Sequence, residues 1–468
     1  MCGITGWVDF GHDLTIRHDV LAAMTATLLP RGPDAGGLWT SEHAALGNRR
    51  LAVLDPANGT QPMSAGHVTI TYNGEVFNFQ ELRADLRGRG HRFTTGTDTE
   101  VVLRGYLEWG LGVAERLNGM FAFALWDGRA QRLVLVRDRL GVKPLYYYPT
   151  GNGVLFGSEP KAVFAHPGTR REIDADGLRE LFTHTPGHTV YKGLHEVRPG
   201  TILTADRTGT REHFYWRLET APHLDDAEET AKEIRRLRQD IVARQLVADV
   251  PIGRLAAPFG ERSTVLRREL VTIRDLPQSA GDMDFPLLQL FRAAREHFTV
   301  VLPEEGADHL FGGHRPMSST FFREDVVKTL DLEVHAADTY ASAVNEIARL
   351  PGETEDEWQQ RKAAYLHLTR TIKVMLDRAD RLSMAVGLEV RLPFTDHRLV
   401  EYLYNARQPS ATSVRTDGTL AALRTRTEEL TSDHPVFELV DRSRVAGHLD
   451  QVLDLAAWLE VHQPHLKL

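Results

Sequence analysis

The spacing of apolar residues predicts strands with a few helices in the first part of the chain. Residues 67–72 alternate between polar and apolar, and the runs 119–126 and 132–137 are apolar enough for buried strands joined by an Asp-Gly turn. Helical spacing interrupts them at 78–89 and again at 98–109, where a Thr-Asp-Thr-Glu pattern provides a helix start. Strands with a few interspersed helices predict a layered α/β or α+β domain.

The pattern changes after residue 204. Residues 222–229 are polar and acidic, as in a linker, and 227–248 has the apolar spacing of a long amphipathic helix. One short apolar run, 299–302, predicts a strand before a Gly-rich turn. Further windows with helical spacing are 287–297, 336–350, 356–376 and 419–430. We therefore expect a helix-rich second half with two or three parallel strands.

Composition indicates an ordinary globular protein. The chain has 468 residues, of which 42% are hydrophobic and 25% charged, and its length suits two domains. A net charge of −9 argues against a protein that coats nucleic acid or anionic membrane. No window approaches the ~20 consecutive apolar residues of a spanning helix, and no secretory signal is visible. We expect a cytoplasmic protein with neither nucleic-acid nor membrane partners.

Cys2 is the only cysteine. A single thiol excludes an intrachain disulfide, a Cys-rich zinc site and an iron–sulfur cluster, and no paired histidine spacing predicts a metal site. If Met1 is removed, Cys2 carries a free α-amino group, with a pKa near ~7.7–8.0, that can accept the proton of its own thiol. An N-terminal nucleophile is thus one interpretation of Cys2, and an incidental second residue is the other.

Eight motifs favour the first interpretation. They are CGI at 2–4, RGPD at 31–34, RLAV at 50–53, YNGEVFN at 72–78, TDTE at 97–100, GMFAFA at 119–124, RDRLGVKPLY at 137–146 and SEPK at 158–161. In this order and spacing they resemble the glutaminase domain of class II glutamine amidotransferases. The resemblance implies an α+β N-terminal-nucleophile sandwich with αββα layers, and glutamine as substrate.

The resemblance also implies roles for individual residues. The catalytic positions are Cys2, Asn73 and Gly74, and the glutamine-binding positions are Arg50, Val53, Glu75 and Asp98. Each role has a physical reason: amide hydrolysis passes through an oxyanion that needs N–H donors, the substrate carboxylate needs a planar cation, and the substrate ammonium needs an anion. Three alternatives stay open: Arg49 as the neighbouring surface arginine, Asp98 as a helix N-cap, and Arg137 with Asp138 as a structural pair.

The second half resembles the synthetase domain of asparagine synthetases. The matching patches are 249–253, 281–284 with 305–313, and 380–394. The resemblance implies a helix-rich α/β domain of the ATP-pyrophosphatase type, with ATP and Mg²⁺ as cofactors. It also implies an acceptor carboxylate, aspartate in that family, activated as an acyl-adenylate and supplied with ammonia from the first domain. Family members often self-associate, which leaves a homodimer open.

The chain departs from that family where ATP would bind. At the family's pyrophosphate loop, Pro258 lacks an N–H donor, Phe259 adds bulk, and Glu261 adds a negative charge. The segment before Gly281 is short, and the helical match at 420–424 lacks the family's lysine. The corresponding ATP-binding positions are Leu255, Pro303, Glu304, Glu305 and Asp308. We predict a degenerate ATP site in a domain with parts missing.

These inferences give three segments and two functions. We expect a glutaminase domain at 2–205, a linker at 206–228 and a synthetase-like domain at 229–468. The first function is a glutamine-dependent amidotransferase that passes nitrogen from Cys2 chemistry to an acceptor carboxylate in the second domain. The alternative keeps only glutaminase or γ-glutamyl-transfer activity, with the second half as a scaffold or acceptor pocket that does not bind ATP.

Overall fold

Two six-stranded sheets build the first part of the protein. The computed structural model describes residues 2–174, 176–178, 180, 185–255, 264–275, 284–303, 343–406, 458, 461–463 and 465–467. The strands of the two sheets are β1 (Cys2–Asp9), β2 (Ala35–Thr40), β3 (Ala44–Arg50), β4 (Met63–Ala65), β5 (Val68–Val76), β6 (Gly119–Asp127), β7 (Arg132–Arg137), β8 (Tyr146–Thr150), β9 (Gly153–Gly157), β11 (His195–Glu196), β12 (Thr201–Asp206) and β13 (Gly209–Phe214). Their orders are β11-β8-β9-β1-β3-β2 and β13-β12-β7-β6-β5-β4. β1 pairs antiparallel with β3 and β9, so the chain start lies in the middle of its sheet.

The two sheets stack face to face, with helices outside. Along β1, Ile4 faces the other sheet in a core shared with Ala122 and Leu135, whereas Trp7 faces outward in a different cluster, as the two-residue period of a strand requires. The helices of this part are α1 (His18–Ala26), α2 (Phe79–Gly88), α3 (Asp98–Trp109), α4 (Val113–Arg116) and α5 (Pro160–Phe164). Helices α1 and α5 cover the first sheet, and α2 and α3 cover the second. The layers are therefore αββα, as predicted.

The second sheet, which contains β4 to β7, extends past residue 205. β12 pairs antiparallel with β13, which is the edge strand of its sheet. β13 therefore lies in the range that the sequence predicted as linker. Its first five residues are all exposed, which gives this segment the polar character that suggested a linker.

The second half combines helices with a small parallel sheet. Its helices are α6 (Ala227–Gln245), α7 (Thr264–Arg274), α8 (Asp284–Arg295), α9 (Glu355–Leu366), α10 (Ile372–Met384) and α11 (His397–Asn405). Its sheet contains β14 (Ile252–Leu255), β15 (Val300–Pro303) and β16 (Glu389–Val390) in that order, all parallel. The prediction of two or three parallel strands is confirmed. Within the described residues, no helix is both long and apolar enough to cross a membrane.

The helix predicted at 356–376 is two helices joined by a π-helical turn. α9 ends at Leu366, the π turn occupies His367–Thr371, and α10 continues to Met384. A single wide turn shifts the apolar stripe only slightly, so the apolar spacing does not reveal it. The predicted helix at 419–430 lies outside the described residues, as do residues 336–342 of the helix predicted at 336–350, and residues 345–350 are not helical.

The two halves share a continuous apolar core. One cluster joins Leu51, Val53 and Met120 of the first half to Val300 and Ile372 of the second. The C-terminal strand β17 (His465–Lys467) also returns to the first half, where it pairs parallel with β10 (Glu172–Asp174). The halves thus form one packed body, with the start of β1 and the end of β5 close to their boundary.

Candidate active site

Cys2 and Asn73 meet where the two sheets approach each other. The backbone nitrogen of Cys2 donates to Asn73 Oδ1 at 2.9 Å. Asn73 is fully buried in β5, and its Nδ2 has no hydrogen-bond partner. A buried N–H group without a partner is costly and uncommon in native proteins. The structure therefore presents an available donor beside the only thiol in the chain.

Gly74 follows Asn73 in close contact with β6. A Cβ atom at this position would lie 2.2 Å from the carbonyl oxygen of Met120 and 2.6 Å from Phe121 Cα. Its φ of 154° also lies in a region that favours glycine. Glycine at this position lets β5 and β6 approach closely next to Cys2, which explains the residue type of the predicted second oxyanion position.

The Cys2 thiol is held in its neutral form. Burial raises the pKa of this thiol, while the N-terminal positive charge, the backbone N–H of Leu51 and the charge of Arg50 lower it to a smaller extent. A buried thiol with a raised pKa needs a base to become a nucleophile. The environment of Cys2 therefore calls for the proton acceptor that a free α-amino group would supply.

Two residues without predicted roles also contact Cys2. Arg31 donates from Nε to the Cys2 carbonyl oxygen at 3.2 Å, and Gln61 Nε2 lies 4.0 Å from Sγ. Gln61 is itself fixed, because its Oε1 accepts from the Tyr72 backbone N–H at 2.7 Å. Arg31 belongs to a recognised motif, whereas no pattern near Gln61 connects that residue to position 2. Its contribution could be found only from the fold.

Arg50 is a pre-oriented cation at the end of β3. Its guanidinium donates to the carbonyl oxygens of Leu54, Asp55 and Pro56 at 2.8 to 2.9 Å. These bonds use three of the five N–H groups that an arginine carries. The side chain is buried and fixed in orientation, with two N–H groups left for a ligand. The neighbouring Arg49 instead donates to the Gly32 carbonyl oxygen.

Glu75 and Asp98 form a buried pair of carboxyl groups. Asp98 accepts from the Tyr72 hydroxyl at 2.8 Å, from the Val76 backbone N–H at 2.9 Å and from the Thr99 backbone N–H at 2.8 Å. Burial raises the pKa of Glu75 well above its usual value, and Glu389 and Asp98 raise it further. This site is thus short of positive charge, which a ligand ammonium group would supply.

The N-cap of α3 is not Asp98. Thr97 takes that position, because its side chain accepts from the Glu100 backbone N–H and its backbone is extended. Asp98 is the first residue within the helix, and two of its three bonds go to β5. The alternative interpretation of Asp98 as an N-cap is therefore wrong, and its carboxylate is directed toward the candidate site.

Arg137 and Asp138 are both buried and structural, but they are not partners. Arg137 pairs with Glu196 at 2.8 Å and donates to three carbonyl oxygens of neighbouring loops. Asp138 accepts backbone N–H groups of Phe121, Leu140, Val142 and Lys143. Both residues therefore hold the same loop, 140–143, Arg137 through carbonyl oxygens and Asp138 through backbone N–H groups.

Val53 connects the candidate site to the second half. It is buried in the shared apolar cluster, and its carbonyl oxygen accepts from the Asp249 backbone N–H at 3.0 Å. Cys2, Asn73, Gly74, Arg50, Glu75, Asp98 and Val53, the seven predicted residues, are thus all described. Charge interactions link Cys2 with Arg50 and Glu75, and Glu75 with Asp98, so the predicted set converges in one place.

The predicted ATP positions are only partly described. Leu255 and Pro303 are paired neighbours at the carboxyl ends of β14 and β15, the edge where parallel sheets usually bind ligands. Glu304, Glu305 and Asp308 lie outside the described residues, as do Pro258, Phe259 and Glu261. No group of three or more potential metal-ligating side chains occurs within the described ranges.

Two protein families match different parts of the chain. The profile "Glutamine amidotransferase domain" matches residues 1–216, and the profile "Asparagine synthase" matches residues 262–428. Asparagine synthetase [glutamine-hydrolyzing] 3 of Bacillus subtilis is 36% identical, over 86% of this chain and 81% of that protein. Asparagine synthetase [glutamine-hydrolyzing] 1 of the same organism is 30% identical, over 67% of this chain and 59% of that protein.

A solved structure overlaps more distantly. The glutamine phosphoribosylpyrophosphate amidotransferase of Bacillus subtilis is 16% identical, with a TM-score of 0.35 over 54% of this chain and 60% of that one. This overlap adds nothing to the assignment, which rests on the sequence relatives. The chain therefore belongs to the glutamine-hydrolysing asparagine synthetase family, as an asparagine synthetase-like glutamine amidotransferase with a glutamine amidotransferase domain and an asparagine synthase domain.

Proposed function

We propose that Cys2, with its α-amino group freed by removal of Met1, hydrolyses the side-chain amide of glutamine. The observation that carries this proposal is the unpartnered Nδ2 of Asn73 beside Cys2. A donor that is buried without a partner in the free protein is available for an oxyanion that exists only during the reaction. Such a preorganised donor stabilises the transition state more than the substrate.

In this mechanism the Cys2 α-amine accepts the proton of the Cys2 thiol. The thiolate attacks the carboxamide carbon of glutamine, and Asn73 Nδ2 and the Gly74 backbone N–H bind the resulting oxyanion. The amine returns its proton to the leaving nitrogen, so ammonia departs and a γ-glutamyl thioester remains. Water then attacks the thioester with the same amine as base, which releases glutamate and regenerates the thiol.

The two ends of the amino-acid portion have opposite partners. The two remaining N–H groups of Arg50 suit the α-carboxylate, and Glu75 with Asp98 suits the α-ammonium. Val53 would pack against the aliphatic part. Because the Arg50 guanidinium is already held by three carbonyl groups, binding requires little further ordering of this side chain.

The donor set of the second half does not fit ATP. Pro303, at the end of β15, has no N–H group where the family has a small, donor-rich loop, and Pro258 removes a second donor. The alignment with the closely matching Bacillus subtilis relative runs over 497 positions, more than the 468 residues of this chain. That relative therefore has residues without counterparts here, which supports a shortened domain. We derive no step through ATP or Mg²⁺.

The second candidate function is transfer of the nitrogen to an acceptor carboxylate. Family membership favours this function, since the names of the relatives describe asparagine synthesis with glutamine hydrolysis. Aspartate would be the acceptor by that analogy. If the protein only hydrolyses glutamine, the second half shapes the glutamine site and receives ammonia without activating a carboxylate.

The test is ammonia release from glutamine by the full chain. We expect the unmodified protein to release ammonia and glutamate in equal amounts, and Cys2→Ala to release neither, because the chain has no other thiol. Cys2→Ser should retain little activity, since a hydroxyl is a poorer nucleophile at neutral pH. Circular dichroism of both variants provides the folding control. Turnover by Cys2→Ala at the unmodified rate would refute the proposal.

A further inference from the structure

Arg391 is a fully buried arginine that immediately follows β16 in the second half. Its Nη1 donates to the carbonyl oxygens of Gln245 at 2.6 Å and Val247 at 2.7 Å. Its Nε donates to Glu389 Oε1, also at 2.6 Å. Because a guanidinium is planar, bonds on two of its nitrogens fix the direction of the third.

The third nitrogen is directed at the glutaminase site. Nη2 of Arg391 has no hydrogen-bond partner, and it lies 3.5 Å from Glu75 Oε2. The two side chains come from different halves of the protein. A charged donor that is buried and incompletely paired is expensive, so its position against Glu75 calls for a functional explanation.

Arg391 opposes the charge excess around Glu75. Burial, Glu389 and Asp98 raise the pKa of Glu75, and Arg391 lowers it. Tyr72 binds Asp98, and the N-terminal positive charge lowers the pKa of Glu75 alongside Arg391. Without Arg391, Glu75 would face two carboxyl groups with less compensation, and its pKa would lie higher still, which shifts it further toward its neutral form. A neutral carboxyl group attracts an ammonium group far less than a carboxylate does.

The second half also supports the other end of the site. Asp249 Oδ2 accepts from the Asp55 backbone N–H at 2.8 Å, next to the Asp249–Val53 bond. Asp55 is one of the residues whose carbonyl oxygens orient Arg50. Residues of the second half therefore support both Arg50, the predicted partner of the substrate carboxylate, and Glu75, the predicted partner of its ammonium group.

We propose that the second half completes the glutamine site, with Arg391 as the positioning residue that keeps Glu75 ready for the substrate ammonium. This inference rests on the proposed function for the identity of the ligand. It goes beyond that function because it makes glutamine affinity depend on docking of the asparagine synthase domain. A protein with an undocked second half would keep its nucleophile and lose selectivity for the α-amino group.

The experiment measures binding, so it does not depend on turnover. In a Cys2→Ala background, which leaves the ligand intact, calorimetry compares L-glutamine with 4-carbamoylbutanoate, which is glutamine without its α-amino group. We expect Arg391→Met to weaken glutamine binding about tenfold or more, as removal of a buried charged partner does. Binding of the analogue should change less than threefold, since it has no ammonium group to place against Glu75.

Lys373→Met is the matched control. Lys373 pairs across the same domain boundary with Glu196, away from Glu75. A purely structural role for Arg391 predicts that both substitutions weaken both ligands to a similar extent. Where Arg391→Met does not fold, Arg391→Gln serves instead, because it keeps an N–H donor group and removes only the charge.

Each outcome decides the proposal. Loss of discrimination between the two ligands only in the Arg391 variants supports it. Unchanged discrimination overturns it, and so does a parent protein that binds glutamine no better than the analogue. Failure of the proposed function has a different signature, namely selective glutamine binding by Cys2→Ala without ammonia release by the unmodified protein.

Discussion

Asn73 combines two tasks in one side chain. Its Oδ1 accepts from the Cys2 nitrogen, and this bond turns the Nδ2 group away from that nitrogen, where it has no partner. Asn73→Ala should lower kcat by about 10²–10³, with a small effect on KM, because oxyanion donors act in the transition state. Asn73→Asp keeps an acceptor for the Cys2 nitrogen and removes the donor, so it should lose a similar factor. Steady-state ammonia release measures both variants.

Arg50→Ala provides the contrast at the same scale. The buried guanidinium of Arg50 is proposed to bind the substrate in its ground state and transition state alike. Its removal should therefore mainly raise KM. If Arg50→Ala lowers kcat and Asn73→Ala raises KM instead, the roles of anchor and oxyanion donor have been exchanged in this account.

At the scale of elements, His397 makes the start of α11 sensitive to pH. Burial, followed by the positive charge of Arg139, lowers the pKa of His397 to about 4. The ring lines a small pocket between the halves, together with Phe77, Met120 and Gln245. In an unfolded chain a histidine has a pKa near ~6.5. The unfolded state therefore binds a proton first as the pH falls.

The consequence is a loss of stability between pH 6.5 and 4. The contribution of His397 is fully present above pH 6.5 and disappears as the pH falls toward 4, by up to about 3 kcal/mol in the free energy of unfolding. His397→Gln should remove this part of the pH dependence. Urea unfolding at several pH values measures the difference, and parallel curves for the two proteins would contradict the assignment.

Local patterns predicted the elements better than their connections. The capping residue Thr97 and the amphipathic stripe that follows it allowed both ends of α3 to be predicted, because a cap and a stripe are encoded within one helix. The edge strand β13 was missed because nearly all its residues are exposed and it lacks apolar alternation, and the π turn before α10 was missed because one wide turn barely shifts the apolar stripe. The predicted site residues could be found from the sequence because they lie in short motifs. Gln61 and Arg391, in contrast, approach the site only through the fold.

At the scale of the whole molecule, the patch 380–394 contacts the first half of the chain, although its resemblance implies a role in the synthetase domain. Asp380 accepts from Arg31 at 2.7 Å and pairs with Lys143 at 3.3 Å, and Arg391 reaches Glu75. Arg31 in turn donates to the Cys2 carbonyl oxygen. The patch 380–394 therefore supports the Cys2 site, through Arg31 on one side and Glu75 on the other.

ATP binding is the prediction that belongs to this scale. We expect a dissociation constant for Mg²⁺-ATP weaker than ~1 mM and no release of pyrophosphate with aspartate. Lost donors at Pro258 and Pro303 and the added charge of Glu261 each cost about 1–4 kcal/mol, and a micromolar site is worth ~8 kcal/mol. Calorimetry and a pyrophosphate assay on the full chain provide the measurement. Micromolar affinity or aspartate-dependent pyrophosphate release would instead establish the second candidate function.

The most direct test of the central claim is the intact mass of protein treated with a glutamine analogue that carries an electrophilic carbon in place of the amide. The account predicts one adduct per chain, located on Cys2, in protein that has lost Met1, and no adduct on Cys2→Ala. Protection by glutamine should follow from competition for the same site. An adduct on another residue, or full labelling and turnover by protein that retains Met1, would contradict an N-terminal cysteine nucleophile.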